Sequence, residues 1–132
     1  MAVTGLGTLL KRLREAKGFS LRDVSQLSGV DHAYIYRLET GEKEAPSEDA
    51  ISKIVRALKP SKRHEAVLRF VSGRDVALEL VDPSIVDDEQ VALEDFESAA
   101  QMSFRGKKPA TPAEWRKAID KIRIMREDIE RG

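Results

Sequence analysis

The sequence predicts an all-α protein in which an N-terminal bundle of five short helices, residues 1–72, precedes a smaller, mainly helical C-terminal region, residues 73–132. Two observations predict this fold class. Apolar residues recur at helical spacings of three and four through most of the chain. Gly, Pro, Ser and Asp interrupt these runs where helices begin and end. The length of 132 residues suits one domain, or a small domain with an appendage.

The first two predicted helices have clear apolar faces. The face of the first is made of leucines at helical spacing, namely Leu6, Leu9, Leu10 and Leu13, and Gly18 follows as a stop signal. Ser20 is a favourable N-cap for the second helix, which Gly29 ends. We expect Val24 and Leu27 to be the inward positions of this second helix.

A tight connection, Ser-Gly-Val at residues 28–30, leads to the third predicted helix. Asp31 caps that helix and Gly41 ends it, with Ile35 and Leu38 facing inward. The short connection therefore predicts two helices that pack closely against each other.

Two more helices complete the predicted bundle. Ser47 opens the fourth and Pro60 ends it, and its inward positions are Ile51, Ile54, Val55 and Leu58. Ser61 opens the fifth, which Gly73 ends, and its apolar residues are Ala66, Val67, Phe70 and Val71. Helices this short are marginal alone, so we expect them to share one core.

The C-terminal region has a weaker pattern. Residues 74–81 alternate apolar and polar positions, which leaves strand and helix open, and Pro83 breaks the segment. Residues 87–101 are predicted to be helical, with one face formed by Ala92, Phe96 and Ala99.

A final helix is predicted from about residue 112 to residue 130. Thr111 and Glu114 form a capping-box pattern, with Pro112 in the first turn. Its apolar seam, which is too short for an independent coiled coil, consists of Trp115, Ala118, Ile119, Ile122, Met125 and Ile129. The pattern alone fits packing within one chain and pairing with a second chain equally well.

Charge divides the chain into two parts although the net charge is zero. Residues 1–70 carry 13 basic and 9 acidic side chains, whereas residues 71–132 carry 10 and 14. Residues 75–104 contain nine acidic side chains and no basic one. This asymmetry predicts two roles. We interpret the acidic stretch 75–97 as a solvated face, and the alternative is a surface that repels DNA or binds a basic partner.

Several classes of protein do not fit the composition. Cysteine is absent, which excludes disulfides and thiol catalysis. His32 and His64 lack the spacing of metal ligands, and no Gly-rich phosphate loop is present. We therefore expect no enzyme, no metal and no cofactor. Since no apolar run approaches the roughly 18 residues of a membrane span, we expect a cytoplasmic protein.

The third helix has side chains suited to DNA. Ile35 and Leu38 point inward, so His32, Ala33, Tyr36 and Arg37 point largely outward, with Tyr34 at the margin. An arginine can form two hydrogen bonds to guanine, and a small apolar group can contact the thymine methyl. The preceding helix offers N–H groups and Arg22 for a phosphate.

Residues 6–58 resemble the lambda-repressor-like helix-turn-helix family, also called the XRE family. The matching positions are Gly7, Leu10, Arg14, Gly18, Ser20, Val24, Gly29, Val30, Ile35, Leu38, Glu39, Gly41, Pro46, Ser47, Ala57 and Leu58. The resemblance implies that the third helix is the recognition helix. It implies base contacts from His32, Ala33 and Arg37, and phosphate contacts from Ser20, Arg22, Tyr34, Thr40 and Lys43, with Tyr36 also near DNA. It further implies a structural ion pair between Arg14 and Glu39.

The sequence departs from the family pattern at two places. Leu21 stands where a polar residue often helps to contact DNA, and Glu42 and Glu44 lie in a loop where basic residues would favour DNA. We therefore expect a further contribution to DNA affinity from elsewhere.

The resemblance implies a transcriptional regulator, and we expect a repressor that binds double-stranded DNA as a homodimer. Because one helix-turn-helix reads only a few base pairs, this function favours pairing of two chains through the final helix. The alternative is an antitoxin or regulator whose C-terminal region, residues 73–132, binds a toxin, a protease, an inducer or another protein.

Overall fold

The computed structural model describes residues 3–43 and 45–132, which contain α-helices, one 3₁₀ helix and no strand. The helices are α1 (Gly5–Ala16), α2 (Leu21–Ser28), α3 (His32–Thr40), α4 (Glu48–Leu58), α5 (Lys62–Val71), the 3₁₀ helix Leu78–Val81, α6 (Pro83–Val86), α7 (Leu93–Ala100) and α8 (Pro112–Arg131). The predicted all-α fold class is confirmed. The chain divides into two compact units, Met1–Asp75 and Val76–Gly132.

The helices of the first unit begin at the predicted capping residues. The side chains of Ser20, Asp31, Ser47 and Ser61 each accept a hydrogen bond from a backbone N–H in the first turn of the helix that follows. Thr4, which the sequence analysis did not identify, caps α1 in the same way. These bonds satisfy N–H groups that have no partner inside a helix.

The turn between α2 and α3 depends on Gly29. This residue has a φ of +78°, in the left-handed region, and its N–H bonds to the Ser25 carbonyl. A residue without Cβ adopts this conformation without strain. The chain therefore reverses over Gly29, Val30 and Asp31 and starts α3 at once.

The core of the first unit consists of the apolar faces of its helices, namely Leu6, Leu9, Leu10, Val24, Ile35, Leu38, Ala50, Ile51, Ile54, Val55, Leu58, Val67, Leu68 and Val71. Leu68, which the sequence analysis omitted, is fully buried. The prediction for Leu27 was wrong, since this side chain is 60% exposed. Helical spacing shows that Leu27 shares a side of α2 with Val24, but not that a neighbouring helix covers both.

The second unit begins differently from either predicted alternative. Residues 74–81 are neither strand nor α-helix, because a short 3₁₀ helix forms at Leu78–Val81. Val76 and Leu80 are buried but Leu78 is 44% exposed, so the alternating pattern does not mark one face. Pro83 begins α6, where its missing N–H costs nothing.

The helix predicted at residues 87–101 is shorter than expected. Helix α7 starts at Leu93, and residues 87–92 form turns in which Asp88 accepts hydrogen bonds from the backbone N–H groups of Gln90 and Val91. Local bonding by an aspartate competes with helix formation, which explains the late start. Phe96 and Ala99 are buried as predicted, whereas Ala92 is the half-buried N-cap.

Helix α8 confirms the predicted final helix. Thr111 caps it by accepting a hydrogen bond from the Glu114 N–H at 3.1 Å. Within the second unit α8 contacts the 3₁₀ helix, α6 and α7, and its buried side chains are Trp115 and Ile119. In residues 3–43 and 45–132, no helix is long and apolar enough to cross a membrane.

Candidate nucleic-acid interface

A buried ion pair fixes α3 against α1. The Arg14 guanidinium donates two hydrogen bonds to the Glu39 carboxylate, Nε to Oε2 at 2.7 Å and Nη2 to Oε1 at 2.9 Å. Its Nη1 donates to the Phe19 carbonyl at 2.8 Å. The predicted structural pair is therefore confirmed, and Arg14 links α1, α3 and Phe19 in the connection between α1 and α2.

The pair also affects the ionisation of Arg14. The hydrogen bond to Glu39 raises the pKa of Arg14 above its ordinary value, although burial acts in the opposite direction. The Glu39 side chain is 4% exposed, so its carboxylate depends on Arg14 for neutralisation. The end of α3 is therefore held against α1 by a bond with defined geometry.

The same two helices touch at Gly7. A Cβ at this position would lie 2.6 Å from the backbone carbonyl oxygens of both Leu38 and Glu39. Since those oxygens belong to the backbone of α3, they cannot rotate away as a side chain would. Gly7 thus allows α1 and α3 to approach each other more closely than they could if a residue with a Cβ stood at this position.

The outer face of α3 carries two exposed side chains. Tyr36 is 53% exposed, and Arg37 is exposed without an ion pair among the described residues. His32, Ala33, Tyr34 and Thr40 are half-buried on the flanks. As far as the described residues go, the Arg37 guanidinium therefore has no ionic partner, and it lies at the surface of a helix whose inner face is fixed.

Lys43 lies beside the start of the loop that follows α3. Its ammonium nitrogen is 5.2 Å from the centre of the Tyr34 ring. Its backbone N–H donates a hydrogen bond to the Arg37 carbonyl at 3.0 Å. The Thr40 hydroxyl donates to the same carbonyl at 3.3 Å. The lysine charge is therefore held close to α3. In this loop Glu42 is exposed, and Glu44 lies outside the described residues.

The start of α2 combines a cap with a free cation. The Ser20 hydroxyl accepts from the Asp23 N–H at 3.0 Å, while the Asp23 carboxylate accepts from the Ser20 N–H at 2.8 Å. Arg22 is exposed and makes no ion pair within the described part of the chain. The Ser20 hydroxyl oxygen therefore caps α2, and the hydroxyl can still donate its hydrogen to another acceptor.

A concave surface of about 820 Å³ lies between α1 and the flank of α3. Tyr36 and Thr40 line it together with Leu21, the residue where the sequence departs from the family pattern. Lys11 and Arg12 of α1 line it as well, and the sequence analysis missed both. The sequence feature that could have identified them is their position directly after the buried Leu9 and Leu10, where the helix turns its next side chains towards solvent.

The predicted dimerisation residues divide between two environments. Trp115 and Ile119 are each 2% exposed within the second unit. Their side chains are therefore already buried within a single chain. Ala118 and Ile122 are half-buried, whereas Met125 and Ile129 are 64% and 78% exposed. The seam is therefore partly core and partly surface.

The acidic stretch 75–97 is not simply a solvated face, and in this respect the interpretation was wrong. Asp95 is buried and accepts two hydrogen bonds from Arg126, at 2.8 and 3.1 Å. This bonding to Asp95 raises the pKa of Arg126. Asp88 lies 2.7 Å from the Arg116 guanidinium. Basic residues of α8 thus neutralise acidic ones from the segments packed against it.

A family model describing a helix-turn-helix domain matches residues 5–68, just under half of the chain. Among curated proteins no match was found. The match agrees with the observed fold, because α2, the tight turn at Gly29 and α3 all lie within it. It confirms the resemblance stated for residues 6–58. Residues 5–68 therefore form a helix-turn-helix domain, which indicates a DNA-binding regulator.

Proposed function

We propose that this protein is a sequence-specific transcriptional repressor that binds an operator in double-stranded DNA as a homodimer. The observation that carries the proposal is the outer face of α3. Arg37 is exposed there and has no ion pair with any described residue, next to the exposed Tyr36, while Arg14 and Glu39 hold the opposite side of the helix. A fixed helix with a free guanidinium is suited to the major groove.

In this proposal α3 enters the major groove and reads bases. Arg37 donates two hydrogen bonds to a guanine, and His32 and Ala33 contact neighbouring base edges. Contacts to phosphates position the helix, and we assign them to Ser20, Arg22, Tyr34, Tyr36, Thr40 and Lys43. Lys11, on the concave surface beside Tyr36, is the further cation that we add to this group.

Two domains in a homodimer would reach half-sites about 34 Å apart, one turn of the double helix. The bound dimer represses by blocking access of polymerase to the same DNA. A regulator of this kind acts in the cytoplasm.

The test begins with DNA fragments selected by the purified protein, which yield a preferred sequence. We expect Arg37→Ala to weaken binding to that sequence by about 1–3 kcal/mol and to relax the preference at one position. Arg56→Ala is the matched control, because Arg56 is also exposed but lies on α4. An unchanged selected sequence for Arg37→Ala would contradict the assignment of base reading to Arg37.

Lys43→Ala separates charge from base reading. If Lys43 contacts phosphate, this variant should weaken binding to all sequences alike and should reduce the slope of log affinity against log salt by about one. Lys43→Arg keeps the charge and should retain both properties. A change in preferred sequence for Lys43→Ala would mean that Lys43 contacts bases instead.

A further inference from the structure

Helix α8 exposes large apolar side chains on the side that faces away from the core of the second unit. Ile129 is 78% exposed, Met125 64% and Ile124 50%. Met125 and Ile129 lie four residues apart and therefore on one face of the helix, which continues to Ile122 and Ala118. Apolar side chains this exposed and this closely grouped indicate a surface that another molecule covers.

The N-terminal half of the same face borders a groove of about 550 Å³. Its apolar lining consists of Met102, Phe104, Pro109, Ala118, Ile122 and Met125. Its charged lining residues are three lysines, Lys107, Lys117 and Lys121, and one carboxylate, Glu114. The groove therefore suits an occupant with apolar side chains and negative charge.

The C-terminal turn of α8 has this composition. Ile129 is flanked by Asp128 and Glu130, with Glu127 before them and Arg131 after them, so residues 127–131 carry three acidic side chains and one basic one. We propose that the groove binds the C-terminal turn of α8 from a second copy of this chain, reciprocally, so that two α8 helices pair antiparallel. This inference rests on the proposed function, because it identifies the interface of the proposed homodimer and the alignment of its two α8 helices.

Packing defines the register. With the two-fold axis crossing α8 midway between residues 123 and 124, Ala118 lies opposite Ile129 of the second copy, and Ile122 lies opposite Met125 of the second copy. The small Ala118 thus faces the large and most exposed Ile129, which is the arrangement that fills a seam without voids. Each contact occurs twice because the interface is symmetric.

Charge supports the same register. The flank of α8 next to the groove carries Lys121 and Asp128, and neither has an ion pair within the described residues. At a rise of about 1.5 Å per residue, Lys121 lies within about 3 Å, along the helix axis, of Asp128 of the second copy. An antiparallel dimer therefore brings these two opposite charges together, and it does so twice.

A parallel pair of α8 helices does not have this property. It would place Lys121 beside Arg126 of the second copy, because in a parallel pair a residue that flanks the seam lies next to the flanking residue of the partner's following heptad. Arg126 is already bonded to Asp95 and carries the same charge as Lys121. The charges of α8 thus favour the antiparallel arrangement over the parallel one.

Charge exchange tests the register without DNA. Sedimentation of the wild type at tens of micromolar should show a dimer. Lys121→Asp and Asp128→Lys should each raise the dimer dissociation constant about tenfold or more, since two attractive pairs become repulsive. The double variant, Lys121→Asp with Asp128→Lys, should recover most of the wild-type affinity. A monomeric wild type, or a double variant as weak as the single variants, would overturn the proposal.

Cross-linking gives an independent test, because the chain has no native cysteine. An equimolar mixture of Ala118→Cys and Ile129→Cys should form a disulfide-linked dimer under mild oxidation, and either variant alone should not. In the antiparallel register the two copies of position 118 lie about 16 Å apart along the axis. Linked dimers from each variant alone, with none specific to the mixture, would instead indicate a parallel pair.

Two further measurements separate the possible failures. Fluorescence of Trp115, the sole tryptophan, should stay that of the wild type in every variant and so report a folded second unit. Binding to a single DNA half-site should be unchanged in Lys121→Asp. Lost half-site binding with an intact dimer would count against the proposed function, whereas intact half-site binding with a monomer would count against this interface alone.

Discussion

Single residues determine how closely the helices of the first unit approach. Gly7 allows α1 to lie against the last turn of α3, and Gly29 allows the chain to turn sharply before α3. The first effect concerns space, because a Cβ would meet two carbonyl oxygens, whereas the second concerns backbone conformation. Each glycine thereby fixes one geometric property of α3.

Gly7→Ala should destabilise the first unit. The new Cβ would lie 2.6 Å from two backbone oxygens, so α1 and α3 must separate. Overpacking of this kind costs about 1–3 kcal/mol, and the better helix propensity of alanine recovers up to about 1 kcal/mol. Urea unfolding followed by circular dichroism measures the change.

Lys11→Ala is the control for this measurement, because Lys11 is an exposed residue of the same helix. We expect its free energy of unfolding to stay within about 0.5 kcal/mol of the wild type. A Gly7→Ala variant as stable as Lys11→Ala would show that the close approach of α1 and α3 is not required for stability.

At the scale of helices, each unit contains one arginine bonded through two nitrogens to a buried carboxylate. Arg14 of α1 bonds to Glu39 of α3, and Arg126 of α8 bonds to Asp95 of α7. Such pairs have a defined geometry, and removal of one partner leaves a buried charge. They therefore fix the orientation of one helix against another more strictly than apolar packing does.

A double-mutant cycle on Arg14 and Glu39 tests this role. Arg14→Met should lower the free energy of unfolding by about 3–5 kcal/mol, because Glu39 is left buried and unpaired. The combination Arg14→Met with Glu39→Leu should be more stable than Arg14→Met alone, since it removes the uncompensated charge. Urea unfolding of the four proteins gives the coupling energy.

The binding of DNA by these four proteins shows whether the pair also positions α3. We expect the double variant to regain stability but to bind the preferred sequence less tightly than the wild type. Equal stability of Arg14→Met and the double variant would contradict the view that unpaired Glu39 is the main cost.

The whole molecule consists of two units, each with its own core. The apolar faces of α1 to α5 form the first core, and Trp115, Phe96 and Ile85 are among the largest side chains of the second. The two units also differ in charge, since all of the acidic stretch except Asp75 belongs to the second. If the proposed function is correct, the first unit binds DNA and the second holds two chains together.

A fragment of residues 1–75 should therefore fold alone. Its helices and their core are complete, so its circular dichroism should show a cooperative unfolding transition. We expect it to bind one DNA half-site at least as tightly as the full chain, because it lacks the acidic residues of the second unit. On an operator with two half-sites it should bind more weakly than the full chain, because its two contacts are no longer linked.

The full chain measured beside the fragment is the control. Much weaker half-site binding by a well-folded fragment would show that the second unit contributes directly to DNA contact. A fragment without a cooperative transition would show instead that the first unit needs the second in order to fold.

The sequence by itself determined the helices of the first unit and their order. Capping residues such as Ser20 and Asp31 bond to N–H groups only a few positions away, so their effect is local and visible in the sequence. The pairing of Arg14 with Glu39 followed from resemblance to a family. The turns at residues 87–92 were missed because an aspartate such as Asp88 can occur in a helix or in a turn. Only the backbone N–H groups that bond to it distinguish the two cases.

Tertiary structure decided which apolar side chains are covered. Leu27 and Val24 share a side of α2, yet only Val24 meets a neighbouring helix closely enough to be buried. In the seam of α8, Trp115 and Ile119 turn into the core of the second unit while Met125 and Ile129 remain at the surface. Helical spacing gives the direction of a side chain relative to its own helix, but burial depends on what lies opposite, which is set by contacts between residues distant in sequence.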